Sequence, residues 1–257
     1  MTEFQHQGEE KKQFVRHMFD DISGRYDLLN HVLSFGIDLY WRFRLIRSLP
    51  NPGDHPILDV ATGTGDVGLV LKKRFPSTTV IGLDYAYQMT RRCLTKIRAR
   101  EISGFFVVQG DGERLPFPDQ KMAALTISFG FRNIGHYELA LTEFFRVLIP
   151  GGSLRILEFA EPEAPVIGPL YGFYFHHILP RIGALFSRSD AYRYLPESVD
   201  HFPARPALRA LLNEAGFENI SIRNLTFGTV TLISANRPHG NLAEATGMPS
   251  STNNLNH

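Results

Sequence analysis

The chain has 257 residues, 43% of them hydrophobic and 21% charged, with 27 basic against 26 acidic side chains and a formal net charge of +1. That composition fits one large globular domain and excludes a disordered chain, a bilayer-embedded chain and a generally basic nucleic-acid binder. The single cysteine, Cys93, can make neither an internal disulfide nor a cysteine metal cluster, which points to a reducing, cytoplasmic setting with no metal.

Residues 1–12 are polar, without the apolar core of a signal peptide, and are expected to be loose. From Gln13 to about Leu49 the apolar spacing is helical, broken at Ser23-Gly24 and again at Ser34-Phe35-Gly36, which makes residues 13–50 an N-terminal helical cap. Strand and helix signals then alternate through PILDV, a helix over about 66–75, TTVIGLD, a helix over about 87–100, FFVVQGD, ALTISFGF and a helix over about 137–148. PGG is expected to break the chain before SLRILEF. Continuous apolar strands separated by helices predict a parallel sheet covered on both faces. Residues 160–202 interrupt this rhythm with Pro, Gly, Tyr, Phe and His, and read as an inserted lid. A helix over about 206–215, closed by Gly216, leads to ENISIRNLT and TVTLISANR, separated only by Phe227-Gly228. A link that short forces an antiparallel hairpin. Residues 51–237 are thus the main domain, and residues 238–257 a polar tail expected to be disordered.

DVATGTGD, residues 59–66, lies at the end of the first strand, where open α/β sheets bind ligands. It lacks the Lys-Ser/Thr ending of a phosphate loop and the G-x-G-x-x-G spacing of a dinucleotide site. The second strand ends at Asp84, 20 residues after Thr64, where a carboxylate can accept from both hydroxyls of a ribose. The third ends at Gly110-Asp111, a second acid on the same rim. A nucleoside without a pyrophosphate fits such a rim, and S-adenosylmethionine is one. The expected fold is therefore a class I methyltransferase: a Rossmann-like, seven-stranded, mostly parallel α/β sheet ending in an antiparallel hairpin, with a Rossmann dehydrogenase as the alternative.

Several motifs narrow this. FDDISGRYDLLNHVLSFGIDLYWR, GLDYAYQM, QGDGERLPFPD, TISFGFRNI, RVLIPGGSLRILEF, YRYLPESV and NLTFGTVTL resemble the ubiquinone/menaquinone biosynthesis C-methyltransferase family over about residues 14–237. RYDLLNHVLSFG, FGFRN and YRYLPESV are the most specific of these. The resemblance implies S-adenosylmethionine contacts at Thr64, Asp84, Asp111, Gly112 and Ser128, with Asp59, Thr62, Gly63, Gly65 and Met89 completing the cofactor rim. It implies a quinol-type, prenylated acceptor, contact with a membrane surface, and a homodimer. Departures are Ala123-Ala124, where an acid is usual, the stretch after the fifth strand, and HFPARPAL. The last two fall in or beside the expected lid and leave open a soluble acceptor. A nucleoside-binding subunit without catalysis is a further alternative, opposed by the intact rim acids.

Methylation at carbon needs an electron-rich ring carbon held in line with the sulfonium methyl, and a group that favours loss of the neighbouring hydroxyl proton. Arg132 and Asn133 in FGFRN, Tyr26 and Asp27 in GRYD, and His176 or His177 are the candidates, with Arg132 as the polarising cation. The aromatic run from Tyr171 to Phe175 reads as lid core or as the wall of a polyprenyl channel.

Overall fold

The computed structural model describes residues 8–160, 162, 168, 172–174, 177, 181 and 191–240, apart from the side chains of residues 29 and 191–193. Three helices come first: α1 (Gly8–Ile22), α2 (Tyr26–Leu33) and α3 (Ile37–Arg47). The breaks between them fall at the two turn signals of the sequence, and Phe35 and Gly36 both turn with positive φ. Helix α1 begins at Gly8, inside the stretch expected to be loose, because Gly8 N–H donates to the Gly135 carbonyl and Lys11 Nζ to the Ile134 carbonyl.

The sheet then forms as β1 (Ile57–Val60), β2 (Val80–Asp84), β3 (Phe105–Gln109), β4 (Met122–Ser128) and β5 (Leu148–Phe159), with β6 (Glu218–Leu225) and β7 (Val230–Asn236) last. Their spatial order is β3-β2-β1-β4-β5-β7-β6. The first five run parallel and β7 pairs antiparallel with both β5 and β6. The chain moves outward from β1 in one direction and resumes at β4 on the other side, so the sheet opens a crevice between the carboxyl ends of β1 and β4.

Helices α4 (Asp66–Arg74), α5 (Tyr87–Ala99), α6 (Tyr137–Val147), α7 (Ala191–Asp200) and α8 (Arg205–Glu214) surround the sheet. One core, with Leu58, Leu125, Phe131 and Phe144, lies on the face covered by α6 and α8. The other, with Trp41, Leu45, Leu71 and Cys93, joins α3, α4 and α5 to the opposite face. Helix α1 packs Val15, Met18 and Ile22 against Met89 and Tyr194.

Two sequence expectations change. PGG does not end an element: β5 runs through it, and the register with β4 jumps from Met122–Leu148 to Ala124–Ser153, so residues 149–152 are a bulge. The start of the tail is packed, since Gly151 N–H donates to the carbonyls of Arg237 and Pro238 and the His239 ring occupies the space a Gly151 side chain would take. Residues 241–257, and most of the expected lid, lie outside the described residues.

Candidate functional site

The crevice is a cleft whose empty space, counted together with the open solvent at its mouth, is about 730 Å³. Its floor is the strand ends. Ala61 after β1 and Phe129 after β4 both take left-handed φ, 51° and 57°, although neither is glycine. Non-glycine residues in that region cost about 1–3 kcal/mol each and gather at ligand sites. Gly130 lets these two turns meet, since a side chain there would lie 2.5 Å from Ala61 Cβ.

Asp84 anchors the glycine turn. Its Oδ2 accepts from Gly63 N–H at 2.7 Å and its Oδ1 from Ala86 N–H at 2.9 Å. Burial pushes its carboxyl up to about 6, against the pull of those two amides. The carboxylate keeps acceptor capacity beyond its backbone amides, and Asp84 lines the cavity. Ser128 lines the same cavity with a buried Oγ that has no partner among the described residues, and Arg16 adds a buried Nε in the same condition. Buried polar atoms without partners are costly, and two of them on one cavity suit a site that receives a polar ligand. Leu83, Ala86 and Met89 give the apolar surface beneath. A nucleoside with ribose hydroxyls for Asp84 and a polar contact for Ser128 fits this donor and acceptor set.

Of the cofactor residues expected from sequence, Gly63, Asp84, Met89, Asp111, Gly112 and Ser128 line this cavity. Asp59, Thr62 and Thr64 line a smaller adjoining cleft instead. Asp59 accepts the hydroxyls of Thr62 and Thr126 at 2.6 Å each and, buried, is pushed up to about 6. The Thr64 hydroxyl donates to Asp27 at 2.5 Å and accepts from Lys96 at 2.8 Å, so its capacity is spent on tying the cap to the rim. Gly65 lines neither space and caps α4 at φ 89°. These four residues hold the loop in shape rather than face the main cavity.

Helix α1 is the part that sequence reasoning missed. Lys12, Val15, Arg16 and Phe19 close the cavity from above. Lys12 binds Asp111 at 2.6 Å, and Asp20 accepts from Gln88 N–H at 2.7 Å. The signal was the apolar stripe of α1, which needs a partner surface.

The acceptor candidates separate. Tyr26 and Asn133 line the cavity. Asn133 Oδ1 accepts from the Tyr194 hydroxyl at 3.2 Å, which leaves its amide N–H groups to offer. Burial raises the Tyr26 hydroxyl, opposed by its bond to Asn30 and by the charges of Arg42 and Arg132. Arg132 is not the free cation expected at the wall. It is 6% exposed, its Nη1 donates to Glu158 at 2.6 Å and to the Phe129 carbonyl at 2.5 Å, and its Nε to Ser198 at 3.2 Å. An unpaired guanidinium behind an apolar strand would be too costly to bury, and Glu158 compensates it. Asp27 is tied to Lys96 at 2.6 Å, and His177 stacks on Phe173. His176, Tyr171 and Phe175 lie outside the described residues.

The sequence model of the ubiE/COQ5 methyltransferase family matches residues 5–237. A demethylmenaquinone methyltransferase of Thermus thermophilus is 47% identical over 222 residues, 86% of this chain and 100% of the relative. A ubiquinone/menaquinone biosynthesis C-methyltransferase of Syntrophotalea carbinolica is 45% identical over 225 residues, 88% of this chain and 94% of the relative. Among solved structures, a SAM-dependent methyltransferase of Thermotoga maritima superposes with a TM-score of 0.64 at 18% identity, covering 86% of this chain and 99% of that one, a likeness of fold.

Proposed function

The chain belongs to the ubiE/COQ5 methyltransferase family, and we propose that it moves the methyl group of S-adenosylmethionine to a ring carbon of a prenylated benzoquinol or naphthoquinol. The observation that supports this acceptor is that Tyr26 and Asn133 line the same cavity as Asp84, within the field of the Arg132–Glu158 pair. S-adenosylmethionine supplies, when bound, an activated methyl on a sulfonium. Asp84, Asp111 with Gly112, Ser128 and Met89 hold the nucleoside, and the loop braced by Asp59, Thr62 and Thr64 shapes the turn beneath it.

The protein's own task is to place the ring and favour its oxyanion. Asn133 donates to a ring oxygen, and Tyr26 supplies a second hydroxyl. Arg132 acts through space. Burial raises the hydroxyls of Tyr26 and Tyr194, the latter to about 12, and the Arg132 charge opposes that rise at both; at Tyr194 it outweighs Glu158, while at Tyr137 Glu158 outweighs it. A quinol hydroxyl in the same place meets the same field, which offsets part of the burial cost of ionising it, so that the ring carbon can become nucleophilic as the proton passes to water. A prenylated acceptor resides in a bilayer, so this reading places a cytoplasmic protein at the inner face of the membrane.

The test is transfer of a labelled methyl from S-adenosylmethionine to a demethylated benzoquinol or naphthoquinol, with loss of the gene expected to accumulate the demethylated quinone. No transfer to either ring would overturn the proposal.

Asp84→Ala should weaken S-adenosylmethionine binding by on the order of 1.5–3 kcal/mol, since both ribose acceptors go. Titration calorimetry on the folded variant checks this, and unchanged affinity would remove Asp84 from the site. The same carboxyl sets a pH dependence. Ribose hydroxyls favour its ionised form, so binding must lower its value from about 6. Affinity should then fall as pH drops through that value, by roughly tenfold between about pH 7.5 and about pH 5. Asp84→Asn should flatten the profile, and an equally steep profile in that variant would assign the titration to another group.

A further inference from the structure

The cap helices present an apolar surface outward as well as inward. On α2, Leu28 and Val32 are exposed, and the turn to α3 puts Phe35 at 78% exposure. On α3, Leu39, Tyr40 and Phe43 are exposed, while Trp41, Leu45 and Ile46 fill the core on the opposite side. A helix apolar on both faces has more hydrophobic surface than its own fold uses.

The charges on this face are of one sign. Between Leu39 and Ser48 the sequence carries Arg42, Arg44 and Arg47 and no acid. Arg42 is buried on Asp38 at 2.6 Å, whereas Arg44 and Arg47 lie over the rings of Tyr40 and Phe43. Arg223 of β6 joins them around a groove lined also by Tyr40 and Phe43. Among the described residues, none of these three guanidiniums has an acidic partner. The acids of the two helices are both used: Asp27 on Lys96 and Asp38 on Arg42.

We propose that the outer face of α2 and α3, with Phe35, Leu39 and Phe43 as insertion residues and Arg44, Arg47 and Arg223 as phosphate-binding cations, docks this protein on an anionic phospholipid bilayer. Exposed apolar side chains interleaved with arginines can sink to the headgroup boundary while the arginines reach back to the phosphates. A second copy is the competing occupant. A two-fold interface would bring the same three arginines toward their own images with no free acid among the described residues of α2 and α3 to pair them, which disfavours it. The location also suits the chemistry. Helix α2 has Tyr26 in the cavity wall and Leu28 and Val32 on the outer face, so one short helix separates the reacting ring from the bilayer that would hold its tail.

The location argument rests on the prenylated acceptor proposed above, while the vesicle test does not. The full chain should co-sediment with phosphatidylcholine vesicles containing phosphatidylglycerol, and much less with phosphatidylcholine alone. Arg44→Ala with Arg47→Ala should weaken that binding roughly thirtyfold, on the usual scale per basic residue at an anionic surface. Leu39→Ser with Phe43→Ser should weaken it in a way that salt does not restore. Both pairs are on the outer surface, so melting temperature and methyl transfer to a short-chain, water-soluble demethylated quinol should stay at wild-type levels. Loss of that soluble activity in the wild type would count against the acceptor, not the docking face. The docking proposal fails if the wild type ignores anionic vesicles, if both variants bind them as it does, or if the wild type is a dimer that these substitutions dissociate without any vesicle binding.

Discussion

Arg132→Ala is expected to lose about 3–5 kcal/mol of folding stability and at least about a hundredfold in methyl transfer. The stability loss comes from Glu158, which is fully buried at the end of β5. In the wild type its Oε1 receives the Arg132 guanidinium and its Oε2 the Arg132 backbone N–H, at 2.6 and 3.0 Å. Removing the guanidinium leaves a carboxylate in the core with two backbone amides, those of residues 132 and 159, and no paired counter-charge. The transfer loss has a different origin, the positive field over Tyr26 and the acceptor wall. The two causes separate in a double variant. Arg132→Met with Glu158→Leu removes both charges and should recover most of the melting temperature, because a compensated buried pair is worth little over apolar side chains of similar size. Turnover should stay low in that protein. A double variant with near-normal turnover would reduce the pair to a brace and leave Asn133 and Tyr26 to act alone.

That pair also shows where the sequence stopped being informative. FGFRN was visible as a motif at the rim, and an arginine directly after an apolar strand had to find a partner. Asp27 and Glu158 were both candidates from the sequence; Glu158 is 26 residues away on the next strand, and only the parallel register of β4 with β5 selects it, while Asp27 goes to Lys96. Local signals fared better. The turns at Ser23-Gly24 and Ser34-Phe35-Gly36, the short strands and the closing hairpin are written in glycine placement and apolar runs, and the elements fall within a few residues of those signals. The rim acids were legible because strand ends are predictable ligand positions. The roof was harder to see, since Lys12 meets Asp111 across 99 residues and only the apolar stripe of α1 signalled that this helix needs a partner surface. PGG misled because Pro-Gly-Gly ends elements in isolation, whereas here the flanking apolar residues pair with β4 on both sides of the bulge. Thr64 matched the family position, yet its hydroxyl is consumed by Asp27 and Lys96, side chains from two other helices.

Gly65→Ala should be the most damaging small substitution in the cofactor loop, costing about 2–5 kcal/mol. Two effects add. Gly65 caps α4 at φ 89°, where an L side chain is strained. The new methyl would also lie 2.3 Å from Cys93 Sγ and 3.5 Å from the Phe105 ring. Cys93 is fully buried on α5, so it has nowhere to retreat. The loop would shift instead, and Gly63, whose N–H holds Asp84, would move with it. The melting temperature should drop by roughly 5–15 °C, from about 2–4 °C per kcal/mol for a domain of this size. S-adenosylmethionine affinity should fall in the same variant, although residue 65 lines neither cavity. Cys93→Ala in the same chain gives the methyl room. It should restore the packing part of the loss and leave the backbone strain, so about 1–3 kcal/mol should remain. Full rescue would show that φ at residue 65 costs nothing. A single Gly65→Ala protein that melts and binds like the wild type would mean that the close approach of this turn to α5 is not part of the native loop.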